Sequence, residues 1–459
     1  MSSEALQGPP TSGNVIERDG YRFPPGIRYN LVWRALVRMG PPNPTVLFQR
    51  LVDEFGDVSH YRVGRNHIVF LNSPEYIRDI LVVQHANFIK ERTQHRAKLL
   101  LGEGMITADG QAHRRQRQVA QPAFHRQRVP AYADEIARRA AALRERWNPG
   151  EADIYREMMQ YALGTVSSTL FSTELGDEIG PLNAAMGDIM SVYNPIVLLP
   201  GVQTWLKIPG TPLRKFVHAR ARFDETVYRL IEEHRRGAGD GDLLSGLLAA
   251  QAEMGWSDTD LRDQVLTVFL AGYETVAIAL TWTWYLLSQH PEVEARFHAE
   301  IDEVLGERLP KYDDLPRLRY VEMVLAESMR LYPPAWAMGR QALEDFELGP
   351  YRLPAGTTVL MSQFITHRDA RYFPEPMRFD PERFTPEAKA ARQRFTYFPF
   401  GRGPRQCIGE AFAWMEGVLA LATIGQRWRM RPVPGSRVEP EPLFTLRPKY
   451  GMRMLLEPR

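Results

Sequence analysis

The chain has 459 residues, 44% of them hydrophobic, and 57 Lys and Arg against 55 Asp and Glu leave a net charge of +2. It can bury a large core, and the near-neutral balance argues against nucleic acid or a strongly charged surface as the main partner. One cysteine excludes a disulfide scaffold and a cysteine-ligated iron–sulfur centre, and no His-Glu-x-x-His or Cys-x-x-Cys supports a zinc site.

Residues 1–20 are polar and punctuated by Ser, Gly and Pro, which predicts a disordered segment with no apolar core of a signal peptide or N-terminal anchor. Residues 21–459 show no repeat and no shift in composition, and are expected to form a single domain. Prolines 24, 25, 41, 42 and 44 predict an extended lead-in to a helix over 45–55. Residues 61–63 and 68–71 flank Gly64-Arg65-Asn66 as a hairpin, and Ser73-Pro74 opens a helix with Ser as N-cap and Pro at the first position. A loop over 102–110 precedes a helix over 111–120, where His113 and Arg117, four apart, share a face. Such a basic run is ordinarily a solvated surface. Residues 131–190 read as helical. Residues 193–212 are broken by prolines yet apolar around Trp205, which suits a mobile lid and an ordinary packed loop equally.

Ser257 followed by Asp260 makes a capping-box start, and Pro291 stops the helix near His290. At 1.5 Å per residue this helix is about 50 Å long. Its apolar run over 265–287 approaches membrane-span length but carries Glu274 at its middle, which favours a buried central helix. There lies Ala271-Gly272-Tyr273-Glu274-Thr275. A mid-helix glycine costs about 1 kcal/mol against Ala, and a small-residue pair would let a ligand rest on the backbone. An acid and an alcohol beside it can relay protons, or simply fill space. The helix over 318–331 carries Glu327 and Arg330 among apolar neighbours, which implies a buried pair needing full hydrogen bonding. Residues 351–365 read as paired strands around Pro354-Ala355-Gly356, and residues 443–446 with 451–455 as a terminal β-pair.

The only cysteine, Cys407, sits in Phe400-Gly401-x-Gly403-x-Arg405-x-Cys407-x-Gly409, before a long apolar helical pattern. A lone cysteine is most often a small buried hydrophobe. At a helix N-terminus, two residues after Arg405, a thiolate is favoured instead. A phosphate loop is excluded, because there is no G-x-G-x-x-G and no Gly-Lys-Ser/Thr. At every one of these points the loop resembles the haem-ligating loop of the cytochrome P450 family, and the resemblance extends over nearly the whole chain after about residue 25.

The resemblance implies a mainly α fold with small β-sheets (α+β), a long central helix over haem b and the cysteine loop beneath it. Cys407 is then the axial thiolate, in a loop with Phe400 and Arg405. His113, Arg117 and Arg340 hold the propionates, and Ala271 and Gly272 face the macrocycle. Glu274 and Thr275 are the oxygen-activating acid–alcohol pair. Glu327, Arg330 and Arg383, the last from a Pro-x-Arg-Phe segment, form a structural triad. Ala335, Ala337 and Phe444 face the substrate. The implied reaction is O2-dependent hydroxylation or epoxidation of a hydrophobic small molecule such as a fatty acid, terpenoid or steroid. The chain has no flavin or nicotinamide fingerprint, so electrons come from a ferredoxin or flavodoxin-type donor with its reductase, and the exposed Arg114 and Arg115 are candidates for docking it. A bacterial, cytoplasmic enzyme without nucleic-acid partners is expected. The alternatives are an H2O2-dependent peroxygenase, disfavoured by the retained Glu274-Thr275 pair, and a non-catalytic haem-binding protein.

Overall fold

In the computed structural model, residues 15–30, 43–191, 213–237 and 241–459 are described. The 193–212 segment, including Trp205, lies outside them, and so do residues 1–14 of the expected disordered segment. The part of that segment that is described, Ile16–Arg18, is a strand paired with Tyr21–Phe23. The chain forms two compact units that interleave in sequence: Met1–Arg92 with Trp336–Pro376 and Arg392–Gln406, and Thr93–Ala335 with Met377–Ala391 and Cys407–Arg459.

The first unit is built on sheets. Six strands lie in the order Gly26–Asn30, Val58–Val63, Asn66–Leu71, Thr358–Met361, Met338–Ala342 and Phe88–Lys90. The expected hairpin is at its centre, where Gly64 turns at φ 62° between Val63 and Asn66. Ser73 caps the following helix as its sequence predicts, accepting from the Tyr76 amide. The two strands expected to pair around Pro354 do not pair with each other. Tyr351–Leu353 runs antiparallel to Phe346–Leu348 in a four-stranded sheet, while Thr358–Met361 lies parallel to Asn66–Leu71. Strand propensity was legible there, but the partners were not: Tyr351–Leu353 turns back on the strand just before it, and Thr358–Met361 pairs with chain remote in sequence. Val69, Leu71, Ile77, Val359 and Phe398 fill this unit's core.

The second unit is helical. Its principal helices are α1 (Gly110–Ala120), α2 (Ala133–Arg146), α3 (Ile154–Phe171), α4 (Asp258–Gln289), α5 (Arg319–Leu331) and α6 (Glu410–Gly425). The Ser257 hydroxyl accepts from the Asp260 amide and the Asp260 carboxylate from the Ser257 amide, so the expected capping box starts α4. α4 is apolar and long enough to cross a membrane by composition, but it is buried within its unit against α3, with Phe171 and Phe269 stacked at 4.3 Å. The helical reading of 131–190 missed the strand Gly150–Asp153, which pairs with Arg453–Pro458; the latter also pairs with Trp428–Pro432. The chain end differs from expectation too: Pro440–Pro442 pairs with Leu446–Pro448, which leaves Leu443, Phe444 and Thr445 as the turn between them.

Candidate functional site

The cysteine loop is shaped by backbone requirements. Gly401 and Gly403 have φ of 67° and 76°, and a Cβ on Gly403 would lie 2.1 Å from the Leu81 carbonyl oxygen. The buried Phe398 amide donates to His367 Nε2 at 3.0 Å, so His367 anchors the entry to the loop. Phe400 and Arg405 are half-buried in the same unit, and so is Arg340, on the strand Met338–Ala342.

Cys407 precedes α6, whose N-cap is Gly409. Its side chain is solvent-accessible, yet enough protein surrounds it that burial pushes the thiol up to about 11. The Gly409 amide, hydrogen-bonded to the sulfur, and the Arg117 guanidinium pull the other way. The helix terminus and Arg405 were expected to favour a thiolate. Burial opposes them in the chain alone, and a ligating metal would displace the proton. On α1, His113 is buried and Arg117 half-buried, while Arg114 and Arg115 are exposed, so the helix is not a uniformly solvated face.

Helix α4 supplies the decisive pattern. Between positions 261 and 284 every residue is buried except Ala271, Gly272 and Thr275. Ala271 and Thr275 are one turn apart, so the accessible surface is a single window on one face. The Thr275 hydroxyl donates to the Ala271 carbonyl at 2.7 Å, which holds the alcohol against the helix at that window. The absent side chain of Gly272 also serves packing. A Cβ there would come within 2.9 Å of Val166 Cγ2, so the glycine admits α3. Glu274 points elsewhere: it is 1% exposed, burial raises its pKa, and its Oε1 accepts from the Thr445 hydroxyl at 2.9 Å. Thr445 was missed by sequence reading, and only its place in a turn distinguished it.

Glu327, Arg330 and Arg383 come together. Arg330 Nε and Nη2 donate to the two Glu327 oxygens at 2.6 and 2.7 Å, the Asp380 amide donates to Oε1 at 2.9 Å, and Arg383 Nε lies 3.6 Å from Oε1. Of the expected substrate contacts, Ala335 is exposed, and Ala337 and Phe444 are half-exposed.

The residues present fit a haem on two observations: the sole cysteine presents an accessible sulfur bonded by a backbone amide, and α4 opens between positions 261 and 284 only where small residues and an alcohol stand. The comparisons with known proteins agree. The sequence profile described as Cytochrome P450 matches residues 24–455. "Cyclooctatin synthase" of Streptomyces melanosporofaciens is 40% identical over 412 residues, 88% of this chain and 89% of the relative. "Cyclooctat-9-en-7-ol 5-monooxygenase" of the same organism is 39% identical, over 83% of this chain and 84% of the relative. "Pentalenene oxygenase" of Streptomyces avermitilis is 36% identical, over 90% and 92%. A crystal structure of a cytochrome P450 superposes with a TM-score of 0.80 at 25% identity, covering 91% of this chain and 98% of that one. The family's haem is held by a cysteine thiolate, and the chain belongs to the cytochrome P450 family and is a monooxygenase acting on a hydrophobic small molecule.

Proposed function

We propose that this monooxygenase oxidises a cyclic terpenoid hydrocarbon or its alcohol, with Cys407 as the axial ligand of haem b and a separate iron–sulfur or flavin protein as electron donor. The observation that carries the site is the window of Ala271, Gly272 and Thr275 in a helix whose positions 261–284 are otherwise buried. The relatives named for cyclooctatin, cyclooctat-9-en-7-ol and pentalenene support the substrate class. The exposed Ala335 and the half-exposed Phe444 are apolar, as contacts to such a substrate require.

Haem, when bound, supplies the activation of O2. The chain supplies the rest. The Gly409 amide donates to the Cys407 sulfur and tempers its charge. His113 and Arg117, on one face of α1, are donors for a propionate. Thr275 orients a water at the window, and Glu274 is the source of its proton. Arg114 and Arg115 are exposed on α1, and the exposed Arg128 lines an open hollow of about 540 Å³ with Gln118, Gln121, Pro122, His125 and Gln127. That segment reaches the cysteine end of α6, where a Cβ on Gly409 would meet the Phe124 ring at 3.7 Å, so it suits an acidic donor protein. A cytoplasmic location goes with this reading, since the span-length helix α4 is buried inside protein.

The test is the optical spectrum of the reduced protein with carbon monoxide, beside Cys407→Ala. A strongly red-shifted Soret band that disappears in the variant is expected; a band typical of imidazole ligation, or no haem, would remove the assignment of Cys407. Adding a cyclic terpene should shift the spin state, and NADPH alone should give no turnover until a donor and reductase are supplied.

A further inference from the structure

Glu274 has one oxygen satisfied and one not. Oε1 accepts from the Thr445 hydroxyl at 2.9 Å, while Oε2 is buried without a partner among the described residues. Thr445 is held in place by its neighbour. The Leu446 amide donates to the Pro334 carbonyl at 3.0 Å, and the Leu446 carbonyl accepts from the Trp282 indole at 2.8 Å. Trp282 in turn stacks on Tyr332 at 4.1 Å. On the other side of Thr445 is Phe444, half-exposed in the turn between Pro440–Pro442 and Leu446–Pro448. One fixed residue and one accessible aromatic ring therefore flank the hydroxyl that holds the acid.

The groups facing this carboxyl come from three elements. Tyr273 is on α4 itself, Tyr155 is on α3, and Arg447, itself paired with Glu441, is on the terminal hairpin. Burial raises the pKa of Glu274, and the Thr445 bond and Arg447 draw it back down.

We propose that Thr445 is the positioning residue for Glu274, and that the Phe444–Thr445 turn couples whatever rests against Phe444 to the availability of the Glu274 proton. This rests on the monooxygenase reading, in which Glu274 feeds protons to the window at Thr275. The step is a proton transfer alone: Glu274 gives its proton to a water and regains one from solvent, so no charge accumulates. A ligand that rests against Phe444 shifts the turn, and the Thr445 bond carries that shift to the carboxyl, placing its proton for the window water. Without the Thr445 hydroxyl the acid no longer follows the ligand.

The experiment compares wild-type holoenzyme with Thr445→Val, which keeps the shape and loses the hydroxyl, with Thr445→Ser, which keeps it, and with Glu274→Gln. Two readouts are taken: product formed per NADPH consumed, and the infrared carbonyl stretch of the protonated carboxyl with and without a terpene ligand. In wild type the band should be present, absent in Glu274→Gln, and moved by ligand. Thr445→Val should carry the band at its unbonded, higher frequency with or without ligand. Its product yield should fall about fivefold, the worth of one net hydrogen bond. The acidic group in its pH profile should titrate at higher pH, because an interaction that lowered the pKa is gone. Thr445→Ser should restore all three. A Thr445→Val enzyme with wild-type band and yield overturns the proposal, and so does a shifted band with unchanged yield. A holoenzyme without the red-shifted carbon monoxide band would instead overturn the underlying reading, and the infrared arm would still decide whether Thr445 holds Glu274.

Discussion

A buried Arg and Glu are a hazard unless every donor and acceptor is met, and Glu327 with Arg330 meets that demand. Both side chains are 0% exposed, and the guanidinium binds the carboxylate through two nitrogens. Its Nη2 also donates to the Arg378 carbonyl at 3.0 Å, and the Asp380 amide completes the carboxylate. α5 is thereby tied to the segment around Pro381–Phe384, which brings Arg383 to within 3.6 Å of Glu327. Removing one partner leaves an uncompensated buried charge. Arg330→Met should cost about 3–5 kcal/mol in urea unfolding. Glu327→Met combined with it should cost far less than the sum of the two single changes, because the second change removes the orphaned charge. Arg330→Lys should fall between, since an ammonium cannot copy the two-pronged contact. Wild-type midpoints in the single variants would mean that the triad is not structural.

At the scale of an element, Gly272 shows how one position serves packing inside a helix that serves chemistry. The side-chain-free position lets α3 approach α4, and Val166 already lies where a Cβ would go. Gly272→Ala gains about 1 kcal/mol of helix propensity but must overpack by about 1–3 kcal/mol, so a net loss of up to about 2 kcal/mol in thermal or urea unfolding is expected. Val166→Ala should rescue it: the double variant should be more stable than Gly272→Ala alone. Rescue would identify Gly272 as a packing residue, and its absence would return the glycine to a ligand-facing role. The same helix shows what a sequence can and cannot disclose. Its start was legible because a capping box is local, with Ser257 and Asp260 satisfying each other's amides. The Gly64 hairpin and the Ser73 cap were legible for the same reason. The strand Gly150–Asp153 was not, since its partner begins at Arg453 and nothing in four residues encodes a match so far along the chain. Within the site, Cys407 and the Glu274-Thr275 pair stood out by spacing, but the Thr445 hydroxyl on Glu274 joins positions 171 residues apart and had no local signal. The opposing pulls on the Cys407 thiol were only half legible for a related reason: a helix terminus is visible in sequence, whereas the burial that raises the pKa is a property of packing.

For the molecule as a whole, the response to pH is set by acids whose folded and unfolded pKa values differ, and Glu416 is the clearest of them. It lies on α6 at 0% exposure, and neither carboxyl oxygen has a partner among the described residues. Burial pushes its pKa well above the ordinary carboxylate range, and the titratable neighbour that feels it is Tyr161 on α3. The folded chain therefore keeps a proton on Glu416 that the unfolded chain gives up near its ordinary pKa of about 4.3. Between that value and the raised folded pKa the native state binds more protons than the unfolded state, so stability falls as pH rises. Each pH unit across this window costs about 1.4 kcal/mol for the one group. Asp258 works in the opposite sense: the Arg235 guanidinium holds it at about 2, so its contribution is present above the ordinary carboxylate range and is lost as pH falls. Glu416→Gln keeps the volume and removes the titration. Its melting temperature should exceed that of the wild type at pH 8, the gap should narrow as pH is lowered, and the two curves should converge near pH 4, where both chains carry an uncharged group at this position. Equal melting temperatures across the whole range would mean that Glu416 finds a partner that keeps it ionised, and the pH dependence of stability would then have to come from the remaining acids.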